Sequence, residues 1–315
     1  MAAVSKKALQ TIPSFELDTN YLFVHKEALA ESNFGCDNTN ELIGGGFGLY
    51  SSVKVKEKIG PLKSQFYRIG FCRRGSLQVD CGLETFVHHP NSIHFNFPNQ
   101  LFSLQNKSED MYSWYILFSQ DFADELLPAA SMESQFPFFD YAGVPFFDLS
   151  TEEAELMANQ FLAIDSEIRA DLPDKTRAIK LILNLILITA KRSYIRQGLQ
   201  SAYHNQRDSS LVIRFKKLVA QHFISVRSVA TYASQLAVSS KHLGKVIKQE
   251  TGKNASDFID DMLMMEIKAL LRHSMLSISE IAYQLDFSDP SHLTKFFKKK
   301  DGRTPLAYRN AATVQ

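Results

Sequence analysis

Two short stretches near the C-terminal end of the chain gather side chains suited to an anionic polymer. Residues 240–252 present Lys241, Lys245 and Lys248, and residues 290–302 present Ser291, Thr294, Lys295, Lys298 and Lys299. Lysine supplies a charge for phosphate or a donor for a guanine edge, and hydroxyls reach bases or backbone. In both stretches apolar residues recur at i, i+3 and i+4: Leu243, Val246 and Ile247, then Leu293, Phe296 and Phe297. Such spacing predicts a helix anchored on one side, with its basic and polar side turned outward. That is the form a major-groove reading helix takes. A solvated basic face is the plainer reading, and a single pair would favour it.

The elements around these stretches argue for the first reading. Residues 228–236 and 277–285 each predict a short helix carrying a small residue, Ala233 or Ala282, where a second helix can cross closely. A tight turn of three or four residues follows, then the basic helix, which opens on Ser240 or Pro290 and stops at Gly252 or Gly302. Two helix-turn-helix units in tandem, each with charge on its second helix, are harder to explain as a bland surface. Between them, residues 256–273 predict a long helix with Phe258, Ile259, Met262, Leu263, Ile267, Leu270 and Leu271 on its buried side. It would set the spacing of the two units, and two reading heads on one face of B-DNA sit about one helical turn, roughly 34 Å, apart.

Charge supports the division. The 315-residue chain has a net charge of only +1, but residues 205–315 hold 17 Lys and Arg against 10 Asp and Glu, a net of +7, leaving −6 for residues 1–204. A basic domain beside an acidic one suits phosphate binding confined to the C-terminal part.

The first 150 residues have another texture. They hold 17 of the 24 phenylalanines. Short alternating or aromatic runs, such as 48–56, 65–71, 76–80, 84–88, 92–97 and 111–118, are broken by Gly44–Gly46, Gly60-Pro61, Pro90-Asn91 and Pro98-Asn99. Period-2 alternation with such breaks predicts several antiparallel strands in a sandwich or barrel. Helical periodicity follows over about 153–170 and 175–194, the second helix being apolar almost all round between Ile179 and Ile188 and so needing cover on more than one side. Residues 196–210 read as a linker. The expected organisation is an α+β chain: a β-barrel domain with two helices over 1–195, a linker over 196–210, and an all-α DNA-binding domain over 211–315.

Residues 277–309, SISEIAYQLDFSDPSHLTKFFKKKDGRTPLAYR, closely resemble the signature of AraC/XylS-family transcription regulators, and the resemblance extends over 211–309. It implies a sequence-specific DNA-binding regulator. Lys241 and Lys245 in the first unit, and Ser291, His292 and Lys295 in the second, then fall at base-facing positions. Ser240, His242, Lys248, Thr294, Lys298 and Lys299 complete the expected DNA-contacting set. Two positions depart from the family pattern. Asp286 stands where the second turn usually has Gly, and Asp tolerates left-handed backbone better than most residues. Gly244 stands where a base-contacting side chain is common, so the first unit is expected to act mainly through phosphates.

By the same resemblance the N-terminal half is similar to a cupin-like barrel. Helices 153–194 would be the dimerisation element and the barrel interior a small-molecule pocket. Strand alternation nominates Arg68, Phe71, His94, Phe97, Trp114 and Tyr115 for that pocket while leaving their facing open. The expected partners are double-stranded promoter DNA, a small-molecule effector, a second copy of the chain, and RNA polymerase if the protein activates.

The rival is a metal-dependent cupin enzyme fused to the DNA-binding part. Only His88, His89 and His94 are available to it, and the His-x-His pair with a following Glu is missing. There is no GxSxG, no phosphate loop and no reactive-cysteine motif of a methyl-transferring repair protein. A ligand-independent DNA binder would leave the Phe-rich half unexplained. The reading is therefore a non-enzyme with no metal and no cofactor. Cys36, Cys72 and Cys81 fit no knuckle or CxxC spacing, and the first ten residues lack a signal peptide's apolar run. The apolar stretch 179–188 is about half a membrane span and carries Lys180 and Asn184. A cytoplasmic protein without a membrane segment is expected.

Overall fold

The computed structural model describes residues 17, 24, 34–36, 41–82, 84–124, 132–200 and 211–313. These divide into two compact units, one within 15–60 and 64–210, the other holding 211–313 and the short stretch 61–63.

The first unit is built on two antiparallel sheets. The strands are β1 (Phe47–Ser51), β2 (Ile59–Leu62), β3 (Tyr67–Arg74), β4 (Leu77–Cys81), β5 (Glu84–His88), β6 (Ser92–Asn96), β7 (Phe102–Gln105), β8 (Tyr112–Phe118) and β9 (Phe146–Asp148). One sheet runs β1-β8-β3-β6-β9 and the other β2-β7-β4-β5. Residues predicted to break the runs take positive φ: Asn91 (66°), Asn99 (64°) and Gly60 (80°). Asn and Gly adopt that region at the least cost.

Two helices cover the outer face of the five-stranded sheet: α1 (Thr151–Ala170) and α2 (Lys175–Arg196). Strand residues that point away from the other sheet pack under them. Phe71 meets Trp114 at 6.3 Å and Phe161 of α1 at 5.8 Å between ring centroids. Phe95 stacks on Phe138 at 4.0 Å. β1 and β6 are buried at every position because both faces of their sheet are covered. α2 buries Ile179, Leu183, Ile186, Leu187 and Ala190, whereas Leu181 and Leu185 stay exposed at 57% and 52%. The cover expected on more than one side of this helix does not reach Leu181 and Leu185. Among the described residues no helix is long and apolar enough to cross a membrane.

A capping box starts α1: Ser150 Oγ accepts from the Glu153 N–H and Glu153 Oε2 accepts from the Ser150 N–H. The same carboxylate takes two hydrogen bonds from Arg196 at the end of α2, at 2.9 and 2.8 Å, and one from Ser193 Oγ at 3.0 Å. Partial burial pushes its pKa up, but the bonds from Arg196, the Ser150 N–H and Ser193 outweigh that and hold it at about 2, against an ordinary 4.5. A depressed carboxyl contributes stability that is complete above its unfolded pKa and is lost as pH falls through the folded one. Glu153→Gln should therefore melt below wild type by a constant margin above about pH 5. The margin should shrink between there and pH 2, as thermal melts across that range will show. A margin independent of pH would mean the carboxylate is not held charged by these partners.

Residues 211–313 of the second unit hold helices and no strand: α3 (Leu211–His222), α4 (Val229–Gln235), α5 (Ser240–Thr251), α6 (Ala255–His273), α7 (Ile278–Gln284), α8 (Pro290–Asp301) and α9 (Pro305–Thr313). α6 buries every apolar residue assigned to it from sequence.

Candidate nucleic-acid interface and barrel interior

α4 with α5, and α7 with α8, form two helix-turn-helix units that repeat in detail. In the turns, the Val238 N–H donates to the Ala233 carbonyl at 3.0 Å, and the Phe287 N–H to the Ala282 carbonyl at 2.9 Å. Ala237 and Asp286 take the same left-handed place, with φ of 56° and 55°. Asp286 confirms that the turn survives without Gly. Ala237 adopts the strained conformation with no side chain that relieves it, a feature the amino-acid types did not signal. Each second helix is capped by the residue one before its expected opening, Ser239 accepting from the His242 N–H and Asp289 from the His292 N–H. Each ends on a left-handed glycine, Gly252 or Gly302.

Burial repeats residue by residue between 241–250 and 291–300. Leu243 and Ile247, and Leu293 and Phe297, are fully buried. Ser240, Lys241, His242, Lys245 and Lys248 are exposed on α5, and Ser291, His292, Lys295, Lys298 and Lys299 on α8. None of these lysines enters an ion pair among the described residues, whereas Lys300 binds Asp260 at 2.8 Å. The sequence-predicted set is therefore brought together as two solvent-facing basic surfaces. Thr294 differs. It is half-buried and its hydroxyl donates to the Pro290 carbonyl at 2.9 Å. Gly244 holds the equivalent place in α5, and a Cβ there would meet nothing within 4 Å. The His292 ring is held against the second turn, its Nδ1 3.1 Å from Ser288 Oγ and its edge toward Phe287.

Arg227, before α4, was not singled out from sequence. It hydrogen-bonds the Leu285 carbonyl at the end of α7 and lies over the Phe287 ring at 4.1 Å. A residue of the first helix-turn-helix thereby braces the turn of the second.

The six residues nominated for the barrel pocket separate into two groups. Arg68, His94 and Tyr115 point between the sheets. The Arg68 guanidinium lies over the Phe102 ring of β7 at 4.4 Å and the Tyr115 ring at 5.3 Å, and the His94 ring stacks on Phe102 at 6.0 Å. Phe71 and Trp114 point the other way, into the core under α1, and Phe97 packs edge-on against Tyr141 at 4.6 Å. These three do not line the interior. The reason is the alternation itself: on β3, Arg68 and Gly70 face in while Ile69 and Phe71 face out.

His88 and His94, weighed from sequence as metal ligands, are directly bonded, His88 Nε2 to His94 Nδ1 at 3.2 Å. His88 Nδ1 is 2.6 Å from Ser92 Oγ. Burial, with His89 nearby, lowers the His88 pKa to about 3, and burial with His88 and Arg68 nearby lowers that of His94 well below its usual value, so both rings are neutral. Among the described residues no group of three or more His, Cys, Asp or Glu side chains is placed to hold a metal ion.

Two basic reading helices, each presented by a short helix and a tight turn, define a DNA-binding domain of the helix-turn-helix class. Residues 232–311 match a family model described as a helix-turn-helix domain. The match agrees with the resemblance of residues 211–309 to the AraC/XylS type. The chain is 27% identical over 139 residues to the HTH-type transcriptional activator RhaS of Escherichia coli, an alignment covering 44% of this chain and 48% of RhaS. It thus spans about half the length of the curated relatives it matches. Among solved structures, the C-terminal domain of AraT, a response regulator from Geobacillus stearothermophilus, is 28% identical with TM-score 0.31, covering 33% of this chain and 86% of that one. ToxT from Vibrio cholerae O395 is 15% identical with TM-score 0.43, covering 85% and 99%.

Proposed function

We propose that the protein is a sequence-specific DNA-binding transcription regulator, dimeric and ligand-responsive, acting on promoter DNA without catalysing a reaction. One observation carries the reading: two helix-turn-helix units with the same burial pattern leave lysines on both second helices that enter no ion pair among the described residues. Phosphate attraction supplies general affinity, and the exposed Ser291, His292 and Lys295 at the start of α8 supply base contacts. The first unit, with no side chain at Gly244, acts mainly through phosphates from Lys241, Lys245 and Lys248. Exposed Leu181 and Leu185, one turn apart on α2, support that helix as the dimer contact. RNA polymerase is a partner if the protein activates.

Footprinting on the DNA upstream of its own gene should show two or more protected major-groove segments. Lys295→Ala should cost about 1–3 kcal/mol on the preferred site and relax sequence preference. Lys299→Ala should weaken all sequences alike and lower the salt slope by about one. Binding no tighter there than to random DNA at about 150 mM salt would refute the regulator reading. Uniform losses from both variants would refute the base-contact assignment alone.

A further inference from the structure

Between the sheets lies a set of buried polar atoms that the protein itself leaves unmatched. Arg68 is 3% exposed, and its Nη2 has no hydrogen-bond partner. It enters no ion pair among the described residues. The groups acting electrostatically on it are Tyr115, Cys81 and Tyr50, none of them a carboxylate. Asp80, on β4 beside Cys81, is taken up by Gln78, Thr85, Ser103 and Gln105 and alternates to the other side of its strand. Burial pulls the guanidinium's pKa down to about 10, so it is still cationic at neutral pH. A buried cation resting only on aromatic faces is costly to keep unless something anionic visits it.

The histidine pair fixes the complementary half of the site. Ser92 Oγ accepts from the His89 N–H at 3.0 Å and lies 2.7 Å from the His89 carbonyl, which can only accept. The hydroxyl proton therefore goes to that carbonyl, and His88 Nδ1 must donate to Ser92. His88 is neutral, so its Nε2 is a lone pair and accepts from His94 Nδ1–H. His94 Nε2 is in turn a lone pair, buried and without a partner. Asn96, opposite Arg68 in the β3–β6 register, spends its Nδ2 on Gln100 and leaves Oδ1 unpartnered as a second acceptor. Arg68 and His94 share the Phe102 ring, which brings the donor and the acceptors together between the sheets.

We propose that this cluster binds a small anion that also carries a hydroxyl, a hydroxycarboxylate, with its carboxylate on Arg68 and its hydroxyl donating to His94 Nε2 or Asn96 Oδ1. The proposal rests on the ligand-responsive reading above and specifies the effector's chemistry. A neutral effector would leave the Arg68 charge unmatched, and an anion without a hydroxyl would leave the acceptors unmatched.

The test uses the full chain and calorimetric titration with three hydroxy acids of increasing reach: glycolate, 3-hydroxybutyrate and 4-hydroxybenzoate. Each is compared with its amide and with the acid lacking the hydroxyl. At least one hydroxy acid should bind saturably and more tightly than both comparators. Arg68→Gln should weaken that acid by about 30-fold or more, the loss expected when a buried charge loses its partner. His94→Ala should reduce the hydroxy acid to the level of its deoxy counterpart. Because these variants carry a folding risk, a second measurement stands apart from ligand. Arg68→Met should raise the melting temperature of the unliganded protein, since it removes an unpaired buried charge. A lowered melting temperature would show Arg68 to be structural and overturn the assignment. Amides binding where acids do not would overturn the anion class while leaving a ligand-responsive barrel intact. No binding from any of the nine compounds would overturn the assignment and remove the barrel's support for the ligand-responsive reading. DNA binding, measured separately, would still stand.

Discussion

Phe297→Ala is expected to lower the stability of the C-terminal unit by about 3–5 kcal/mol, the range for truncating a fully buried aromatic. Phe297 is fully buried, one turn from Leu293, and meets the Tyr308 ring of α9 edge-on at 5.5 Å. Through Tyr308 it joins α8 to α9, which is itself tied back by Arg309 to the carbonyls of Leu271 and Leu276 at 3.1 and 2.6 Å. Losing the ring leaves a cavity under the helix that presents Ser291, His292 and Lys295. A domain of this size has only about 5–15 kcal/mol in total, so its melting midpoint should fall by on the order of 15 °C. DNA binding should fall with it as temperature rises. The exposed Lys298→Ala should change stability by no more than about 0.5 kcal/mol while weakening DNA binding, which separates loss of contact from loss of fold. Unchanged melting of Phe297→Ala by calorimetry would show that α8 is not anchored through this ring.

The second large effect is expected at Gly70→Ala in the first unit. Gly70 lies opposite His94 in the β3–β6 register, and a Cβ built there would come within 2.0 Å of His94 Cε1 and 2.6 Å of its Nδ1. Neither can give way easily. β3 is bonded on both sides, to β6 and β8, and the His94 ring is fixed by His88 behind it and Phe102 beside it. Overpacking so closed a place should cost about 3 kcal/mol. The clash is specific to one ring, so Gly70→Ala with His94→Ala should recover part of the loss, with a coupling of about 1–3 kcal/mol in a double-mutant cycle read by urea unfolding. Additive effects would show that the glycine is needed for its backbone and not for the room it leaves. The same cycle reports on the proposed effector site, because His94 can present its Nε2 there only while Gly70 leaves space for the ring.

The second helix-turn-helix was the most legible part of the chain. Its anchors Leu293 and Phe297, its opening Pro290, its stop Gly302 and its basic face all lie between residues 290 and 302, and helical periodicity settles which of them face inward. The first unit follows the same pattern, and both turned out to share one burial pattern. Some of their working parts were not legible. Thr294 reads as a contact residue, but its hydroxyl is turned onto its own helix. Arg227 reaches across to Leu285, 58 positions away, and no local pattern announces that.

In the N-terminal half, sequence determined the strand and turn texture and the two helices. It could not determine which way the strands of the five-stranded sheet face. An alternating pattern reports a face only when one side is wet, and this sheet is covered on one side by helices and on the other by the second sheet. Phe71 and Trp114 therefore look like pocket residues as readily as Arg68 and Tyr115 do. The packing of sheet on sheet and of α1 on sheet separates them. It also turns His88, His94 and Ser92 from scattered polar residues into a hydrogen-bonded chain ending in an unmatched lone pair.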